Sequence, residues 1–213
     1  MSYPPPPFLQ SDHVSSRTRS VLLKRMEQEQ GQRQNLSPEA FHLLDIICDD
    51  ILPQQSLLGD IRLNLAVMID QFLGGPGDGW RFAELPIDLE AWEKGLLSMD
   101  VYARALFSQN YADLASEQRG AVLDRAFDGS LSEQTAAPLS PAQMVLWSGD
   151  LRNGIVAAFL AHPVSQDRMG ISSSMTGGDS RIQGFSSHSL TEKEDFEPAN
   201  ERRFLDQFQQ NNE

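Results

Sequence analysis

Apolar side chains recur every three or four positions through the middle of the chain, which is the spacing of one buried face of an α-helix. Each periodic segment is bounded by a capping serine, a proline or a glycine, the residues that begin and end helices. No stretch alternates apolar and polar residues for long enough to indicate a β-strand. The pattern predicts an all-α protein, a single helical domain of about five main helices over residues 37–163. The helices are expected at residues 37–53, 60–73, 88–106, 116–128 and 140–162.

Particular residues are expected to set the helix boundaries. Ser37-Pro38 and Ser140-Pro141 each combine a capping hydroxyl with a proline in the first turn. Asp88 and Ser116 are the expected caps of the third and fourth helices. In the second helix, the apolar spacing assigns Phe72 to the buried face.

The segments on either side of this domain differ from it in composition, and we expect long irregular N- and C-terminal arms. Residues 1–36 include a run of four prolines and a polar stretch, which favours a flexible N-terminal arm, with one short helix around Leu22 and Met26 as the alternative. Residues 164–190 are rich in glycine and serine and predict a long loop. Residues 191–213 predict a C-terminal helical tail that is either frayed or docked.

The charge balance excludes several classes of function. The chain has 17 Lys and Arg against 30 Asp and Glu, a formal net charge of −13. Nucleic-acid binding and adsorption to anionic membranes both favour a basic surface, so we expect neither. No apolar run approaches the roughly 20 residues of a membrane span, so no direct span is expected. The first residues lack a secretory signal pattern, and we expect a cytoplasmic protein, periplasmic only if a partner exports it.

The cysteine and histidine residues offer few candidates for a disulfide or a metal site. The one cysteine, Cys48, excludes an internal disulfide and lies on an apolar stripe, which predicts a buried structural thiol. Glu39-x-x-His42, with Asp45 one turn further on, places metal-ligating side chains on one helix face. Bundle di-iron sites need this motif on two helices, and here it occurs once. A solvated helix face is the simpler interpretation, and a metal site at Glu39, His42 and Asp45 is the weaker one.

Aromatic and basic residues are the candidates for partner contacts, because tryptophan and arginine are enriched at interface hot spots. Trp92 and Trp147 also fall on helical stripes, which favours core packing over a partner contact. Basic residues surround the fifth helix and the loop after it, and such a cluster fits an acidic partner surface or a cofactor phosphate. Unrelated solvated charges are the simpler interpretation. The candidate partner-binding residues are Trp80, Trp147, Arg152, His162, Arg168, Arg181 and Phe185.

Spaced motifs in four helical segments carry a resemblance to a known family. They are Leu36-Ser37-Pro38 with Ile51-Leu52-Pro53; Ile69-Asp70-Gln71-Phe72-Leu73; Glu93-Lys94-Gly95-Leu96 with Asp100, Ala105 and Phe107; and Tyr111-Ala112-Asp113-Leu114 with Glu117-Gln118-Arg119. In this order the motifs resemble those of gluconate 2-dehydrogenase subunit 3 proteins, over about residues 36–163. The family's glycine-rich stretch after the fifth helix corresponds here only to Gly177-Gly178-Asp179 and Gly184-Phe185.

The resemblance implies a function in a complex. It implies a non-catalytic small subunit that binds and stabilises a large FAD-dependent sugar or polyol oxidoreductase of the glucose–methanol–choline (GMC) type. This chain would hold no catalytic or cofactor-binding residue, FAD would be bound by the large subunit, and a cytochrome c subunit would be a further partner. Two alternatives stay open: a stand-alone helical metal-dependent oxidase, and a general helical adaptor or chaperone.

Overall fold

The structure is a computed structural model that describes residues 4–10, 14–75 and 82–169. These residues form eight α-helices and two short 3₁₀ turns, with no β-strand among them, so the all-α prediction is confirmed. The helices are α1 Ser16–Glu29, α2 Pro38–Ile51, α3 Gln55–Leu58, α4 Leu65–Leu73, α5 Asp88–Phe107, α6 Ser116–Asp128, α7 Pro141–Ala161 and α8 Pro163–Arg168. Within the described residues, none of them is both long and apolar enough to cross a membrane.

Two of the predicted caps begin their helices as expected. Ser37 Oγ accepts a hydrogen bond from the Ala40 N–H at 3.1 Å, at the start of α2. At the start of α7, Ser140 Oγ accepts from the Gln143 N–H, and the Gln143 side chain accepts from the Ser140 N–H. This reciprocal capping box satisfies two donors that the first turn would leave unpaired.

Three helix starts differ from the predictions. The helix expected from residue 60 begins at Leu65, because the Asn64 side chain accepts from the Val67 N–H and caps α4 there. Asp88 and Ser116 are the first residues of their helices rather than the caps, which are Ile87 and Ala115. A carboxylate in the first turn still interacts favourably with the helix dipole at Asp88.

The core is built around the two longest helices, α5 and α7. Trp92 of α5 and Trp147 of α7 meet edge-on, with ring centroids 6.1 Å apart and planes at 84°. Glycines allow this close packing, since a Cβ at Gly95 would lie 2.3 Å from the Trp147 ring and one at Gly154 would lie 2.9 Å from the Trp92 ring. α2, α4 and α6 surround the pair and share its apolar core.

The helical packing extends beyond residues 37–163 at both ends. α1 lies within the segment for which the sequence favoured a flexible arm, and it packs against α4 and α8. Leu22 and Met26 are buried on its inner face, as the alternative of a short helix anticipated. At the other end, α8 occupies residues 163–168, where we had expected the long loop to begin. The rest of that loop and the predicted C-terminal tail lie outside the described residues.

Candidate functional site

An open groove of about 660 Å³ lies between α4, the start of α5 and α7, with the end of α1 closing one side. We call it the α4–α7 groove. It is mainly apolar, and its volume falls within the range of about 300–1,000 Å³ that is usual for binding clefts. Its walls are formed by Met68, Ile69, Phe72 and Leu73 of α4, Leu85, Pro86, Asp88, Ala91 and Trp92 in and before α5, and Asp150, Asn153, Gly154, Ala157, Ala158 and Ala161 of α7.

Beyond Asp150 and Asn153, the α7 wall consists of small residues. Gly154, Ala157, Ala158 and Ala161 are spaced at i, i+3, i+4 and i+7, so they share one face of the helix. None has a side chain longer than a methyl group. The backbone of α7 is therefore open to close approach by whatever occupies the groove, over about two turns of helix.

The α4 wall carries the most exposed aromatic side chain described in this structure. Phe72 is 67% exposed although it lines the groove, and Ile87, just before α5, is 59% exposed. Our expectation that Phe72 belongs to the buried face of its helix is therefore wrong. The buried face of α4 runs instead through Leu65, Ala66 and Ile69, and Phe72 lies beyond its edge.

Charged side chains are also among the lining residues of the groove. Asp88 and Asp150 contribute carboxylates from α5 and α7, and Arg25 contributes a guanidinium from α1. Arg25 Nη1 donates to the Ala161 carbonyl at 3.1 Å, which ties α1 to the end of α7. This lining suits an occupant that combines an apolar face with charged side chains.

The metal-ligand candidates do not come together as a site. Glu39 and His42 are exposed on α2, while the carboxylates of Asp45 and Asp49 both accept from Arg62 at 2.9 Å. The guanidinium thus already neutralises the carboxylates that a metal ion would need. In the part of the chain that the structure describes, no three His, Cys, Asp or Glu side chains are grouped closely enough to hold a metal ion.

The buried polar groups hold helices together. Arg119 of α6 makes two-pronged contacts of 2.7–3.0 Å with Asp50 of α2, and the Tyr111 hydroxyl donates to the same carboxylate at 3.0 Å. Burial, and then the charge of Asp50, raises the pKa of Tyr111 above its usual range. Burial likewise raises the pKa of the Cys48 thiol, so this cysteine is buried and protonated, as its place on the apolar stripe predicted.

Asp70 forms a second buried polar centre, at the inner side of α4. Its carboxylate accepts hydrogen bonds from the backbone N–H groups of Gln34, Asn35 and Leu36. These bonds fix the segment that leads into α2. They account for an acidic side chain with no exposed surface, because a buried carboxylate needs such donors.

Two of the predicted partner-binding residues are corrected by their burial. Trp147 lies in the core and is 0% exposed, so the alternative of core packing holds for it. His162 is also fully buried, and its Nδ1 accepts from the Val164 N–H at 3.2 Å, which caps α8. Burial, and then the nearby charge of Arg25, lowers the pKa of His162 to about 4, so the ring is neutral and belongs to a helix junction.

Of the other predicted partner-binding residues, two are on the surface and three lie outside the described residues. Arg152 places its guanidinium 4.6 Å above the centre of the Phe127 ring, and Arg168 is exposed at the end of α8. Of the basic cluster that we expected around the fifth helix, His162 is buried and Arg152 packs against an aromatic ring. Trp80, Arg181 and Phe185 lie outside the described residues.

Sequence reasoning missed the groove itself. The α7 wall has a readable signal, since small residues recur there at helical spacing. Phe72 has no such signal, because its spacing from Leu65 and Ile69 is that of a buried position. Its exposure follows from how α4 is rotated against α7, which the local pattern does not specify.

Comparison with known proteins identifies one relationship. A protein-family model described as gluconate 2-dehydrogenase subunit 3 matches residues 38–176, well over half of the chain. The α4, α5 and α7 walls of the groove lie within the matched region, whereas α1 precedes it. No curated protein and no solved structure matches the chain.

Proposed function

Because the chain belongs to the gluconate 2-dehydrogenase subunit 3 family, we propose that it is the non-catalytic small subunit of an FAD-dependent dehydrogenase. It binds and stabilises a large flavoprotein subunit of the GMC type, which oxidises a sugar or polyol. FAD and the catalytic residues belong to the large subunit. Electrons leaving the reduced flavin need an acceptor, and a cytochrome c subunit of the same complex supplies it.

The family match is the observation that carries this proposal, and the described structure supports it in two ways. The buried titratable groups at Asp50, Asp70 and His162 each have a structural partner: Asp50 joins α2 to α6, Asp70 fixes the segment before α2, and His162 caps α8. Phe72, the most exposed large apolar side chain among the described residues, instead lines an apolar groove. Apolar surface of this kind marks a place where another molecule binds, as expected of a subunit.

A small subunit of this kind stabilises its partner by mass action. A protein that binds only the folded flavoprotein raises its stability by RT ln(1 + [L]/Kd), about 2.7 kcal/mol at a concentration of 100 Kd. No catalytic group on this chain is needed for that effect. The proposal therefore predicts a change in the amount and lifetime of folded flavoprotein, with the chemistry unaltered.

Co-purification tests the proposal. The tagged chain is co-expressed with the large flavoprotein subunit of the same source organism, and the eluate is examined by visible spectroscopy and mass spectrometry. We expect a yellow complex containing both chains and FAD, while the chain expressed alone is colourless and oxidises no sugar. Capture of many unrelated proteins with no flavoprotein would indicate a general adaptor. A flavin or metal bound tightly to the chain alone would overturn the proposal.

A further inference from the structure

We propose that the α4–α7 groove receives an amphipathic helix of the flavoprotein subunit, which packs an apolar side chain beside Phe72 and directs basic residues toward Asp88 and Asp150. The inference rests on the proposed function, since it locates the surface through which the small subunit binds. It adds the position of the interface and the chemistry of the partner segment.

Phe72 is the groove residue that we expect to contribute most to binding. It is 67% exposed and flanks an apolar cleft, while Trp92 closes the floor and is almost fully buried. An aromatic side chain that is exposed in the free protein and covered in a complex is typical of an interface hot spot. Ile87 is also exposed, and its chain neighbours Pro86 and Asp88 line the groove.

The shape of the groove fits a helix. Beyond Asp150 and Asn153, its α7 wall presents the small residues Gly154, Ala157, Ala158 and Ala161. Interaxial distances between packed helices shorten when the contact side chains are small. Asp150 and Ala161 mark the ends of this wall. At 1.5 Å per residue they are about 16 Å apart, or about three turns of a docked helix.

The acidic side chains that line the groove favour a partner segment with basic residues. Asp88 and Asp150 place a carboxylate on each of two walls, and the chain as a whole carries a net charge of −13. Basic side chains flanking the apolar face of the incoming helix complement both features. The Arg25 guanidinium lies at the Ala161 end, where it donates to that carbonyl, so a basic partner residue is disfavoured beside it.

Affinity measurements with matched variants form the first part of the test. Binding of the purified, FAD-loaded flavoprotein subunit is measured for the full chain and for Phe72→Ala, with Leu57→Ala as the control. Leu57 is 51% exposed on α3, outside the groove. We expect Phe72→Ala to weaken binding by about thirtyfold and Leu57→Ala by less than about twofold. The double variant D88N/D150N should weaken it about fivefold and flatten its salt dependence.

The two proposals fail in distinguishable ways. If the unaltered chain does not bind the flavoprotein, the proposed function fails and the groove proposal falls with it. If the chain binds but Phe72→Ala binds equally well, the groove proposal alone is overturned.

Photocrosslinking identifies the occupant directly. The photoreactive analogue p-benzoylphenylalanine replaces Phe72, which keeps an aromatic ring at the site, and the same analogue at Leu57 is the control. After irradiation of the complex, a crosslink from position 72 to a basic, amphipathic segment of the flavoprotein is the expected result. A crosslink to residues 76–81 or 199–210 of this chain, to a second copy of it, or to no segment would overturn the proposal.

Discussion

Adding one methyl group at Gly95 probes the contact between the two central helices. A Cβ there would lie 2.3 Å from Cδ2 and Cε2 of Trp147, whereas unstrained carbon atoms pack about 3.5–4.0 Å apart. The indole would have to shift by about 1 Å or more. Because Trp147 is fully buried and meets Trp92 edge-on, that shift would disturb the centre of the core.

Two effects of opposite sign set the stability of Gly95→Ala. Overpacking costs about 1–3 kcal/mol, while replacing glycine by alanine inside a helix gains about 0.8–1 kcal/mol. Gly149→Ala isolates the gain, because Gly149 lies within α7 and nothing stands within 4 Å of its Cβ position. We expect Gly149→Ala to raise the free energy of unfolding by up to about 1 kcal/mol and Gly95→Ala to fall about 1–3 kcal/mol below it. Urea unfolding followed by far-UV circular dichroism measures both, and equal stability of the two variants would refute the packing argument.

Three further predictions concern buried polar groups, each measured as a free energy of unfolding in urea. Arg119→Ala leaves the Asp50 carboxylate buried without its cation and should lower the free energy of unfolding by about 3 kcal/mol. The control Lys94→Ala removes an exposed ion pair and should lower it by less than about 1 kcal/mol. Equal losses would contradict the argument that burial makes the Asp50 pair matter more. Asp70→Ala removes the acceptor of three backbone N–H groups and should cost at least about 3 kcal/mol, so a near-neutral result would show that the carboxylate is dispensable. Because burial lowers the pKa of His162 to about 4 from 6.5, the unfolded chain takes up this proton at higher pH than the folded one. Stability should fall by up to about 3 kcal/mol as the pH drops from about 6.5 to 4. His162→Asn keeps an acceptor for the helix cap, and its free energy of unfolding should fall less as the pH drops. An unchanged pH dependence would exclude His162 as the cause.

The helices at the centre of the fold could be predicted from the sequence because their signals are local. α7 combines the Ser140-Pro141 start with a regular apolar spacing, and α5 has the same regularity over 20 residues. α1 lacks such a signal, since most of its residues are polar. Its stability comes from tertiary contacts, namely burial of Leu22 and Met26 and the hydrogen bond from Arg25 to α7, and short helices in water generally depend on such packing.

The candidate site was much less predictable than the fold. His162 is a candidate partner contact by its chemistry alone, yet it is buried, whereas for Trp147 the helical stripe favours the core packing that the structure shows. Phe72 was assigned to the core and instead lines the groove. Its exposure depends on the rotation of α4 against α7, a property of two helices together. The family motifs gave the correct relationship, since their helix positions follow the same spacing as the core.

Thermal release of FAD from the flavoprotein subunit tests the central claim most directly. Flavin fluorescence is followed during heating of the FAD-loaded large subunit with increasing concentrations of this chain. If the chain binds and stabilises the folded flavoprotein, the midpoint of release rises with concentration, by the equivalent of about 2.7 kcal/mol at 100 Kd and about 4.1 kcal/mol at 1,000 Kd. A midpoint that stays constant at every concentration of folded chain would contradict the claim.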